Sequence, residues 1–279
     1  MEKKIKVLTL SDHPLSPSGV GSQTKYMCEA LLNTGRYQII SLGGAIKHQD
    51  YTPKLVDPYK EDWKIIPVDG YGTQEMIRSI LRTEKPDILW FMTDPRFWGW
   101  LWQIENEIRP LVPMVYYHVW DNYPVPMFNR KYYISNDLVA TISKVTDDIV
   151  AKSAPEVKRK YIPHAVNGKI FKPLTPQQIE EIRQNSLPES DRDKVIFFWN
   201  NRNARRKQSG TLIWWFKEWL DKNNLHDKAQ LIMHTEPKDP HGQDLEHIIE
   251  HLGLDNRQVL LSTQKLPPEH LAAMYNMVD

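Results

Sequence analysis

Short apolar runs alternate with amphipathic stretches along almost the whole of this 279-residue chain. Residues 5–10, 37–42, 87–92, 114–118 and 137–141 are apolar runs of strand length, and 63–67 and 158–162 read as shorter extended pieces. Residues 22–33, 74–83, 98–108 and 145–152, which lie between them, carry helical spacing. A second alternation starts after a polar stretch punctuated by Pro173, Pro176 and Pro188. That stretch holds one short helix, 177–185. Strands at 194–199, 230–234 and 258–261 then alternate with helices at 209–221, 243–251 and 268–275. Strands that are apolar throughout are buried on both faces, which predicts parallel sheets covered by helices. The expected class is α/β, with two Rossmann-like domains at residues 1–172 and 173–279. Three strands are few for the second domain, and a chain that is C-terminally truncated is the expectation.

Charge and cysteine content narrow the functions open to the chain. Lysine and arginine total 36 against 35 acidic residues, a net charge of +1. General nucleic-acid binding is therefore not expected, and any anion site must be local. The single cysteine, Cys28, excludes an internal disulfide and fits a reducing, cytoplasmic setting. It falls inside a helix and reads as a small buried hydrophobe. No apolar run reaches transmembrane length. Seven of the ten tryptophans cluster at 90–102 and 214–219; Trp98, Trp100 and Trp102, with Phe97, fit either a packed helix or the lining of an acceptor pocket.

The segment with the clearest chemistry is Asn200-Asn201-Arg202-Asn203-Ala204-Arg205-Arg206-Lys207. It links an apolar strand to a helix. A loop entering a helix start presents free backbone N–H groups and the positive end of the helix dipole, so Arg202 and Lys207 there suit a diphosphate. After the first strand, Gly19 and Gly21 permit close backbone approach, as a ligand loop or as a plain turn. The segment lacks the third glycine of a dinucleotide fingerprint and is not a P-loop. His118 ends another strand, and Asp94 and Asp121 lie just past strand ends, on the edge where open α/β sheets bind ligands. His118 reads equally as a histidine satisfied by its own fold, and Asp94 and Asp121 as turn or helix caps. His234, His241, His247 and His251 form no metal-binding pattern, so no metal is expected.

Several segments together resemble the GT-B glycosyltransferases, specifically the large retaining family 4 group. Tyr161-Ile162-Pro163-His164-Ala165 through Phe171-Lys172-Pro173 is similar to the signature that closes the first domain there. Residues 137–144 resemble the strand and serine-started helix before it. Arg202 and Lys207 match the family's diphosphate-binding pair, with Asn201 where a glycine is usual. Residues 258–271 look like the strand and loop that hold the nucleobase. The family's Glu-x7-Glu segment is not among the 279 residues.

The resemblance implies two domains facing across a cleft and transfer of a sugar from a nucleoside diphosphate sugar to an acceptor, with retention and without metal. No cofactor is implied beyond the donor substrate. On this reading Asn201, Arg202, Lys207, Thr263 and Lys265 hold the donor, and His118 hydrogen-bonds its sugar. Gly19, Gly21, Asp94 and Asp121 face the acceptor, whose class stays open among glycan, lipid, small molecule and protein. A GT-B nucleotide-sugar epimerase and a non-catalytic nucleotide- or carbohydrate-binding fragment are the alternatives.

Overall fold

A computed structural model describes residues 3–279, which divide into two compact units, one running to Ala165 and the other spanning Val166–Asp279. The first unit is built on β1 (Ile5–Asp12), β2 (Tyr37–Gly44), β3 (Lys54–Val56), β4 (Lys60–Pro67), β5 (Ile88–Met92), β6 (Met114–His118), β7 (Leu138–Thr141) and β8 (Arg159–Tyr161). They form one sheet in the order β3-β4-β2-β1-β5-β6-β7-β8, parallel except for β3, which runs antiparallel to β4. The helices are α1 (Gly19–Leu32), α2 (Gln74–Thr83), α3 (Gly99–Trp102), α4 (Glu105–Ile108), α5 (Arg130–Ile134) and α6 (Lys144–Ser153).

Successive strand residues point to opposite faces, and both faces are apolar here. Leu8, Leu10, Ile40 and Leu42 enter one core with Ile77, Trp98 and Trp102. Val7, Ile39 and Trp63 enter the other with Cys28 and Leu32 of α1. Burial pushes the Cys28 thiol up to about 12, so it stays protonated and unreactive.

The chain leaves β1 for β2 on one side and later returns to β5 on the other. This reversal opens a topological switch point at the carboxyl ends of β1 and β5, the position where open α/β sheets receive ligands.

The second unit carries β9 (Val195–Asn200), β10 (Ala229–His234) and β11 (Val259–Ser262), parallel, in the order β11-β10-β9. Its helices are α7 (Pro176–Ser186), α8 (Ser209–Asn223), α9 (Leu245–His251) and α10 (Pro268–Met277). Ile213, Phe216 and Leu220 of α8 pack with Leu245 and Ile249 of α9 on one face; Leu187, Ile196, Ile232 and Met277 pack on the other. Among the described residues no helix is long and apolar enough to cross a membrane.

Candidate functional site

In the second unit, the loop after β9 is anchored by Asn203, which is fully buried. Its Nδ2 donates to the carbonyls of Pro237 at 3.1 Å and Gln243 at 2.7 Å. Its Oδ1 accepts from Ser209 Oγ at 2.6 Å and from the Gln243 amide at 3.3 Å. The amide of Arg205 donates to the His241 carbonyl at 3.1 Å. These bonds knit the loop after β9 to the loop after β10. Gly242 is required at the seam, because a Cβ there would lie 2.0 Å from the Asn203 carbonyl oxygen.

Arg202 and Lys207 sit on this loop in contrasting states. The Arg202 guanidinium makes a two-pronged pair with Asp239, Nε to Oδ2 at 2.6 Å and Nη2 to Oδ1 at 3.1 Å. The arginine side chain is 63% exposed and its carboxylate partner 9%. That bond, with a second from the His241 amide, draws the Asp239 carboxyl down to about 2. Arg202 is thus not an unengaged cation: a carboxylate already occupies its fork. Lys207 is half-buried and forms no ion pair among the described residues.

At the start of α8, Gln208 takes a left-handed backbone (φ 55°) and supplies no side-chain cap. Gln243 Oε1 accepts from the Gly210 amide at 2.9 Å instead. Asn201 is half-buried on the same loop, whereas Thr263 and Lys265 are exposed on the loop after β11. All five expected donor residues therefore leave the carboxyl edge of one sheet. Arg202, Lys207 and Asn201 share one loop; Thr263 and Lys265 lie two strands away. On that edge His234 Nδ1 and Ser262 Oγ are 2.9 Å apart, and Asn200 Nδ2 donates to Tyr275 OH at 3.1 Å.

In the first unit the switch point is lined by groups that sequence reasoning passed over. Asp12, the last residue of β1, accepts from Ser18 Oγ at 2.6 Å and from Tyr71 OH at 2.8 Å. Ser18 caps α1 by accepting from the Gly21 amide at 2.9 Å. Gly21 is sterically required, since a Cβ would come within 2.5 Å of Ser16 Oγ. Gly19 is not: a Cβ there meets nothing within 4 Å. Thr93, buried at the end of β5, has φ 141°, a conformation costly for a β-branched residue.

Asp94 is engaged by its own turn. It accepts from the Arg96 amide at 3.0 Å and from Arg96 Nε at 2.8 Å, the capping arrangement that was its alternative reading. Asp121 is exposed and caps no helix; among the described residues it makes no hydrogen bond. Of the aromatic set, Trp98 and Trp102 are core, Phe97 is exposed and Trp100 is half-buried.

His118 needs a correction. It is completely buried, with Nδ1 3.0 Å from Tyr116 OH and Nε2 2.8 Å from Tyr133 OH. Tyr116 OH donates to the Thr93 carbonyl at 2.7 Å. That fixes the sense of the chain: Nδ1–H donates to Tyr116, and Nε2 accepts from Tyr133. Desolvation takes the imidazole down to about 3, so it is neutral. With both nitrogens engaged and no surface exposed, His118 has no atom to offer a sugar; it braces Tyr116 and, through it, the strained Thr93.

Tyr71 carries no signal in the sequence, and Thr93 carries only its place at a strand end, because their roles arise when β1 and β5 become neighbours. Asn203 and Asp239 were hidden similarly, 36 positions apart on two loops. Among the described residues no group of three or more metal-ligating side chains occurs.

No protein-family model and no curated protein matches the sequence. Solved structures do. A glycosyltransferase from Rickettsia africae is 19% identical, with a TM-score of 0.65 over 100% of this chain and 72% of its own. A trehalose-6-phosphate synthase from E. coli, bound with UDP-2-fluoro glucose, is 12% identical, with a TM-score of 0.65 over 98% and 77%. The catalytic domain of starch synthase IV from Arabidopsis thaliana, bound to ADP and acarbose, is 11% identical, with a TM-score of 0.63 over 100% and 77%. At such identities the likeness is one of architecture, and by that measure the chain has the GT-B fold of the glycosyltransferases.

Proposed function

We propose that the protein is a glycosyltransferase that moves a sugar from a nucleoside diphosphate sugar to an acceptor, with retention and without metal. The observation that carries this reading is the pre-built loop between β9 and α8: a buried asparagine fixes its backbone while Arg202 and Lys207 stand beside a helix start. In the reaction, the bond between the anomeric carbon and the donor's diphosphate oxygen breaks. Its electron pair leaves with the diphosphate, and the acceptor hydroxyl oxygen forms the new bond as its proton passes to the departing diphosphate. Lys207 and the dipole of α8 stabilise the growing charge, joined by Arg202 once it exchanges Asp239 for phosphate. Asn201, Thr263 and Lys265 complete the donor side. Asp12, Ser18 and the Gly19–Gly21 turn, with Asp94 and Asp121, form the acceptor side, and His118 positions rather than touches. Neighbours of the same fold hold UDP-2-fluoro glucose and ADP, which agrees with a nucleotide donor.

A second reading, nucleotide binding without transfer, is favoured by one observation: the fork of Arg202 is filled by Asp239. Calorimetry with UDP, ADP and GDP, together with measured release of nucleotide from nucleotide sugars, separates the two. Transfer predicts that Lys207→Ala and Arg202→Ala each lower turnover by roughly 10²–10³ and weaken nucleotide binding. Binding with no turnover on any donor selects the second reading. Nucleotide affinity unchanged in both variants removes the loop from either.

A further inference from the structure

Between α8 and α9 the surface of the second unit is hollowed into a groove of about 570 Å3. That volume lies within the range of small-molecule sites, about 300–1,000 Å3. Gly210 lets α8 pack closely on α9 and Gln243 at one end of the groove: a Cβ would come within 2.8 Å of Ile248 and 2.9 Å of Gln243. Trp214 and Trp215 line it and remain 52% and 64% exposed. Trp219, on the same helix, stacks on Phe216 and packs edge-on against Phe197. Among the described residues, Trp214 and Trp215 pack against no other ring, and neither indole N–H donates. The groove also holds polar groups that no other protein group engages, leaving them free for a ligand. His247 and His251 are exposed with no side-chain hydrogen bond, and Gln243 spends Oε1 on the Gly210 amide while Nε2 has no partner.

Free aromatic faces beside unpaired donors and acceptors suit a ligand with apolar C–H faces and hydroxyl edges. An alkyl chain would cover the indoles but leave Gln243 and the imidazoles without partners, which is costly on burial. An anion would find no lysine or arginine lining the groove. We propose that this groove binds a short neutral oligosaccharide, each indole stacking on a sugar ring, at a site separate from the loop that carries Arg202 and Lys207.

The test uses the full 279-residue chain labelled with 15N, titrated with maltoheptaose and with cellohexaose. Trp214→Phe and Trp215→Phe identify the two indole signals. The expected result is that one oligosaccharide shifts both signals saturably, that UDP does not reverse the shift, and that W214A/W215A weakens binding roughly tenfold. W214F/W215F, which keeps two rings, retains most of the affinity and stands in should the alanine variant not fold. The proposal is overturned if neither oligosaccharide moves these signals, if the backbone amide signals of Gln243 and His247 titrate in W214A/W215A with the parent's affinity, or if the signals move on dilution alone, which would make the groove a self-association surface.

Discussion

His118 stays uncharged in the folded chain down to about pH 3, whereas an unfolded histidine takes up its proton near 6.5. Between those values the unfolded state binds one more proton than the folded one, so this residue costs stability as pH falls from 6.5 toward 3 and nothing above. Replacing it by a side chain that cannot titrate should remove that slope. His118→Gln is expected to be less stable than the parent at pH 7, with the difference shrinking by about 1.4 kcal/mol per pH unit below 6. Urea denaturation at pH 7 and pH 5 measures this; an unchanged difference would mean that His118 is charged or solvated. The sequence placed His118 correctly at the carboxyl end of a buried strand. What it could not show was the pair of tyrosines closing on both nitrogens, because Tyr133 arrives from a helix that sequence patterning left unassigned.

Most elements were legible from periodicity, and the misses have physical causes. Residues 98–108 carry one helical pattern, yet the chain forms two short helices, α3 and α4. Ile104 breaks the run with ψ 22° and is buried in the core beside Leu101, Trp102 and Ile108, so packing overrides local propensity. The hairpin strand β3 escaped notice because Lys54, Leu55 and Val56 lack a full alternation. The basic strand-to-helix loop between β9 and α8 is legible in the sequence, but the asparagine that shapes it is not. Asn203→Ala removes four hydrogen bonds in a buried site and leaves the carbonyl and amide of Gln243 and the Ser209 hydroxyl without that partner, while the Pro237 carbonyl keeps its bond from the Leu245 amide. It is expected to cost about 2–4 kcal/mol and to weaken nucleoside diphosphate binding in parallel. Thermal unfolding and calorimetry check both; lost stability with intact nucleotide affinity would show that the seam serves folding alone.

On the scale of the whole molecule, the two-fold α/β architecture followed directly from strands that are apolar on both faces. Placement of the switch point within it depends on strand order, which no single segment encodes. The near-balance of 36 basic and 35 acidic residues means that attraction for polyanions is weak away from local features. The chain is expected not to be retained on heparin at physiological salt; retention would require an extended basic face. The Arg202–Asp239 pair has a consequence for selectivity. On the proposed donor role, Asp239 is a resident stand-in for the anion the fork would receive, and an incoming group would have to displace a carboxylate rather than water. Chloride, acetate and other weak competitors would then be turned away, while a polyphosphate, anchored elsewhere as well, would succeed. Asp239→Asn should therefore tighten inorganic phosphate and sulfate more than UDP, turning a discriminating receptor into an indiscriminate one.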